Sequence, residues 1–132
     1  MEQNRITLDA HAIAWYIHEP SKRRLSERAL ETIRSAEHDG IIYIPTIALL
    51  EVLRLIEKGK IPLSFANVLD GLESSKRHEI VPFDTKLLRT VMTVRGLELH
   101  DRLIVATAIL TNSILVSKDR EIEAVTGINV VW

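Results

Sequence analysis

Five short β-prone runs, separated by segments patterned at helical spacing, constrain this chain more than any other feature. The runs are RITL at 5–8, IIYI at 41–44, EIVPF at 79–83, ILVS at 114–117 and INVVW at 128–132. Between them, AHAIAWYI suits a buried helix, and Ser26 precedes ERALETIRSAEHDG, in which Leu30, Ile33 and Ala36 recur at helical spacing before Gly40 stops the segment. Thr46 is read as the N-cap of IALLEVLRLIEKGK, which ends near Gly59. SFANVLDGLESS forms a further helix, and Asp84 caps DTKLLRTVMTVRG, with Gly96 as its stop. HDRLIVATAILTN is apolar on nearly every side, as a helix packed between layers must be, and Asp119 begins a short helix closed by Gly127. Strands alternating with helices imply an α/β fold with a parallel sheet of about five strands, covered on both faces.

A length of 132 residues suits a single domain over 1–132, and no repeat or Gly/Ser-rich stretch divides it. The 46% apolar content, with only 5% aromatic, describes a core filled by aliphatic side chains and argues against disorder. Seventeen Lys and Arg against eighteen Asp and Glu leave a charge of −1, so any nucleic-acid binding must be local. The absence of Cys removes disulfides, thiolate metal sites and Cys nucleophiles together. The apolar stretch near the N-terminus is interrupted by Asp9 and His11 and lacks the features of an export signal or membrane span, so a cytoplasmic location is expected.

In open parallel sheets, ligands bind beyond the carboxyl ends of the strands. Asp9 follows RITL and Asp119 follows ILVS, while Glu51 and Asp101 lie near the beginnings of helices opening toward that same edge. All four acids are bordered by residues expected to be buried. Carboxylates crowded away from water raise one another's pKa unless a cation neutralises them. Oxygen donors without Cys or a compact His cluster favour Mg²⁺ or Mn²⁺, one or two ions, over Zn²⁺. Each acid also has a plainer reading as a helix cap or a partner of the helix dipole. That reading suits Asp101 and Asp119 taken singly, and suits Asp9 and Glu51 less well because of their apolar flanks.

These segments resemble the PIN-domain family, particularly its VapC-type toxins. LDAHAIAWYI is similar to the family's N-terminal LDTHALLWWL pattern, IALLEVLRLIEKGKI to its Glu-bearing helix, LHDRLIVATAI to its third acidic motif and ILVSKD to its fourth. The resemblance covers essentially the whole chain. It implies a doubly wound α/β/α sandwich, with Asp9, Glu51, Asp101 and Asp119 as catalytic, metal-binding acids. It also implies an endoribonuclease that hydrolyses RNA phosphodiesters with a metal-activated water. The biological setting it implies is the toxin of a type II toxin–antitoxin pair, homodimeric and blocked by a cognate antitoxin protein; a stand-alone PIN nuclease of RNA processing is the alternative. Two departures stand out: Ala10 replaces a small hydroxyl residue, and Tyr16 an aromatic often found as Trp.

Around this set, Ser117 is a candidate to hydrogen-bond a ligating carboxylate, with a turn-forming role as the alternative. Arg102 is a candidate phosphate contact or a structural pair for a neighbouring acid. Arg23 and Arg24, in PSKRRLSER, suit a phosphate-contacting rim or a solvated helix entry. His11, Trp15 and Tyr16 are left outside the catalytic and substrate sets. A response-regulator receiver would need adjacent acids where Ala10 follows Asp9, and a haloacid-dehalogenase-like phosphatase would need an acid where His11 stands. A non-catalytic PIN-like binding module predicts loss of acids that are all present.

Overall fold

The computed structural model describes residues 4–132; residues 1–3, part of the stretch read for an export signal, lie outside the described residues. Its strands are β1 (Arg5–Leu8), β2 (Ile41–Pro45), β3 (His78–Val81), β4 (Ile114–Val116) and β5 (Val130–Val131). Its helices are α1 (Ala10–Ile17), α2 (Glu27–Asp39), α3 (Thr46–Glu57), α4 (Phe65–Ser74), α5 (Thr85–Val91), α6 (Leu99–Thr111) and α7 (Glu121–Thr126). A 3-10 segment, Glu19–Arg24, joins α1 to α2. The strands form one parallel sheet in the order β3-β2-β1-β4-β5. The order reverses between β1 and β4, so the doubly wound switch point lies between those two strands.

Burial shows why the sheet is sandwiched. Ile6, Thr7 and Leu8 are consecutive and wholly buried, as are Ile42 and Ile44 of β2 and Leu115 and Val116 of β4. Successive strand residues point to opposite faces, so uninterrupted burial requires helices on both. Truncating one of these side chains, such as Leu8, would cost about 2–5 kcal/mol through lost transfer energy and the cavity left behind. In α6 the run Leu103–Ala108 is buried without a break, as the apolar reading of that helix required. The buried Thr7 hydroxyl is satisfied by Ser113, 2.6 Å away, and Thr107 donates to the Leu103 carbonyl at 2.9 Å. No helix among the described residues is long and apolar enough to cross a membrane.

Three local expectations are corrected. Pro45, not Thr46, occupies the cap position of α3; Thr46 is already helical and donates its hydroxyl to the Val81 carbonyl at 2.5 Å, stitching α3 to β3. Helix α5 ends at Val91, well before Gly96, because the Thr93 and Val94 N–H groups bond back to Thr90 and Val91 and tighten the chain into a turn. Helix α7 begins at Glu121, two residues after Asp119, whose side chain accepts the Glu121 N–H at 3.1 Å. The cap expected at Ser26 is present, as is that at Asp84. Gly40 does end α2, for reasons of space: a Cβ there would stand 2.0 Å from the Asn4 carbonyl oxygen.

Candidate active site

Because every strand runs the same way, the chain leaves β1, β2 and β4 at one edge of the sheet, and helices α3 and α6 start from it. There a cleft of about 470 Å³ is lined by Asp9, Glu51, Asp101 and Asp119, with His11, His100, Ser117 and Lys118 beside them. Ala10, Ile104 and Ile122 supply an apolar wall. Four acids spread over more than a hundred residues of sequence therefore face one space, on both sides of the switch point.

Asp9 is held by both its backbone and its side chain. Its N–H donates to the Val116 carbonyl of β4 at 3.2 Å, and its Oδ1 caps α1 by accepting the Ala12 N–H at 2.9 Å. The Ser117 hydroxyl also bonds this carboxylate. Burial pushes the Asp9 carboxyl above the usual carboxylate range, and nearby Asp119 adds to the rise. The Ser117 and Ala12 hydrogen bonds and the nearby His11 only partly oppose it. Ser117 is wholly buried and also accepts the Asp119 N–H at 3.1 Å, so its own proton is free for Asp9. One hydroxyl thus ties together the two acids that flank the switch point.

Asp101 is not a cap. Glu98 takes that role by accepting the Asp101 N–H at 2.9 Å, which leaves the Asp101 side chain uncommitted at the cleft. Its carboxyl is raised by burial first, then by Glu98, Asp119 and Asp9, with His100 opposing. Glu51 lies in the second turn of α3 with a side chain 29% exposed, and its Oε1 meets the Arg54 guanidinium at 3.1 Å. Its flanks are less uniformly apolar in space than in sequence: Leu49 and Val52 are buried, but Leu50 is 58% exposed.

Three of the four acids thus spend an oxygen on local partners, Asp9 on Ala12, Glu51 on Arg54 and Asp119 on Glu121. Among the described residues no three acidic or histidine side chains are drawn together into a ready-made cation cage. The donor set nevertheless suits a hard divalent cation: carboxylate oxygens, a part-buried cleft, and two carboxyls raised by burial and by neighbouring acids.

The arginines singled out in the sequence lie elsewhere. Arg102 does not line the cleft; its Nη2 donates to the Val91 carbonyl at 3.0 Å, which also accepts the Val94 N–H at the end of α5. Arg23 and Arg24 are exposed in the 3-10 segment after α1, and Arg24 sits 6.0 Å over the Trp15 ring. His100 and Lys118 line the cleft although neither was among the candidate site residues; their position directly beside Asp101 and Asp119 was the available signal.

The PIN-domain family profile matches residues 6–128. No curated protein matches the chain. Among solved structures, VapBC2 from Rickettsia felis, bound to a DNA fragment from its promoter, is similar at 18% identity with a TM-score of 0.71, covering 96% of this chain and 97% of that one. FitAcB from Neisseria gonorrhoeae is similar at 22% identity and a TM-score of 0.63, covering 96% of each chain. FitAB bound to an IR36 DNA fragment is similar at 21% and 0.61, covering 96% of this chain and 93% of that one. These likenesses reproduce the fold from end to end at low identity. With the family profile spanning nearly all of the sequence, from β1 to the turn before β5, the chain belongs to the PIN-domain family.

Proposed function

We propose that this PIN domain is a metal-dependent endoribonuclease, acting as the toxin of a type II toxin–antitoxin pair. The observation that carries the reading is the meeting of Asp9, Glu51, Asp101 and Asp119 in one cleft at the carboxyl edge of the sheet. PIN domains are nucleases, and a phosphodiester brings negative charge that this acidic cleft tolerates only with a counter-cation. Asp9, Glu51, Asp101 and Asp119, which line the cleft, are the residues that would hold Mg²⁺ or Mn²⁺. When bound, such an ion supplies Lewis acidity at the phosphate and lowers the pKa of the attacking water.

The remaining residues position and balance. Ser117 fixes the Asp9 carboxylate relative to the Asp119 backbone, while the Glu121 N–H holds the Asp119 carboxylate. His11, His100 and Lys118 place imidazole and ammonium groups where phosphate oxygens enter the cleft. Arg23 and Arg24 form a cationic rim on the connection beyond α1. An antitoxin partner follows from the resemblance to VapC-type toxins, and is supported by the likeness to VapBC2 and FitAB. A homodimer follows from the same resemblance, and is supported by the exposure of Leu50, Met92 and Leu99 on α3, at the end of α5 and on α6.

Labelled RNA incubated with and without Mn²⁺ tests the reading, using wild type, Asp9→Asn and Asp101→Asn. Asparagine at position 9 keeps the α1 cap, so that variant folds while losing its ligating charge. Metal-dependent cleavage by wild type, falling at least about a hundredfold in each variant, is the expected result. Equal cleavage by all three, or cleavage indifferent to EDTA, would sink the proposal.

A further inference from the structure

The cleft does not end at its carboxylates. His11 lines it and is exposed, and Trp15 lies one turn further along the same face of α1. The two rings stand 5.5 Å apart and are tilted by 37°. Trp15 meets Trp132 edge-on at 5.6 Å, which fixes the indole from one side. Over its ring, at 6.0 Å, sits the guanidinium of exposed Arg24. An unbroken line of imidazole, indole and guanidinium thus leads out from the acids.

Two features separate this line from ordinary core packing. Trp15 is only half-buried, and the group over its ring is a long, solvent-facing cation that can swing away. The charge of Arg24 is also uncommitted. Among the described residues the ion pairs are Lys22 with Glu19 at 2.9 Å and Arg54 with Glu51 at 3.1 Å, so Lys22 is taken and Arg24 is not. A nucleic acid drawn to an acidic cleft on a protein of net charge −1 needs a cationic anchor beyond that cleft.

We infer that single-stranded RNA leaving the carboxylate cleft follows the His11–Trp15–Arg24 line, with an unpaired base stacked on the Trp15 indole and Arg24 moved from that ring to the adjoining phosphate. Stacking requires a base free of its duplex partner, so the track selects unpaired RNA without reading its sequence. The inference rests on the ribonuclease reading for its direction, since the cleft is where the strand is cut.

The test is binding of a twelve-nucleotide single-stranded RNA carrying 2-aminopurine at successive positions, in Mn²⁺ on the Asp101→Asn background, so that the cleft keeps a counter-cation while the probe survives. Trp15→Leu weakens binding about tenfold and removes the quenching of 2-aminopurine at one or two adjacent positions. Arg24→Gln, an exposed change that leaves the fold alone, weakens binding and reduces the slope of log affinity against log salt by about 0.7. The same oligonucleotide in a duplex shows no quenching. Wild-type affinity and quenching in both variants overturn the track, as does an equal loss on the duplex, or Trp15-dependent binding of a protein partner by a chain that binds no RNA. Metal-dependent cleavage by the chain that retains Asp101, with unaltered binding in both variants, overturns the track alone. Trp15-dependent binding without any cleavage by that chain in Mn²⁺ supports the track and overturns the nuclease reading instead.

Discussion

Tyr16 donates to the Glu37 carboxylate and lies 3.1 Å from His78 Nε2, while His78 Nδ1 is 2.7 Å from the Ser75 hydroxyl. Burial lowers the His78 pKa below its usual value, and Glu37 only partly opposes this. A lowered folded pKa means that the unfolded chain binds the proton first as pH falls. The stability His78 allows is therefore complete above its unfolded value, near 6.5, and is lost as pH falls through the folded pKa. Melting curves between pH 7 and 5 should show wild type losing stability faster than His78→Gln; parallel profiles would contradict the burial of this ring. Nothing in the local sequence KRHEI separates His78 from an exposed histidine, because Tyr16 and Glu37, which face its ring, come from α1 and α2. Asp9 was easier to read, since an acid set between a strand and an apolar helix has few innocent roles. Yet it is also the cap of α1, the role that had been assigned to Asp101 when taken alone.

At the scale of elements, the link from α2 into β2 leaves no room for a side chain. Gly40 lies against the Asn4 carbonyl, which accepts the Ile41 N–H at 2.8 Å and starts the β1–β2 pairing. Gly40→Ala forces a Cβ into that carbonyl and should cost about 1–3 kcal/mol in denaturant titration, through displaced backbone rather than lost burial. An unchanged midpoint would mean that the strand start yields freely. Order and type of the elements were legible because a buried parallel strand must be apolar on both faces, and RITL, IIYI and ILVS satisfy that over a few residues. Helix ends were legible where a side chain caps its own helix, as at Ser26 and Asp84. They were not where the deciding bond is long-range, as at Thr46, or lies in the backbone, as at the end of α5. For the site, chain order suggested which acids could share an edge. The engagement of Glu51 by Arg54 and the turning of Arg102 toward Val91 depend on packing that local sequence does not encode.

For the whole molecule, among the described residues, Met92 at 68% exposure, Leu99 at 61% and Leu50 at 58% are the most exposed of the large apolar side chains. If they meet a second copy, Met92→Lys shifts sedimentation from dimer to monomer at micromolar concentration, with the melting profile of the monomer preserved. A wild type that sediments as a monomer throughout would remove the homodimer from the proposal. The strand order bears on when the protein becomes active. Asp9 is bonded to Val116 and shares Ser117 with Asp119, so the centre of the sheet joins segments more than a hundred residues apart in sequence. On the ribosome the N-terminal strands emerge first, but β4 must leave the exit tunnel before Asp9 has its neighbours. Through most of its synthesis a nascent chain therefore holds Asp9 without the neighbours that shape the carboxylate cleft.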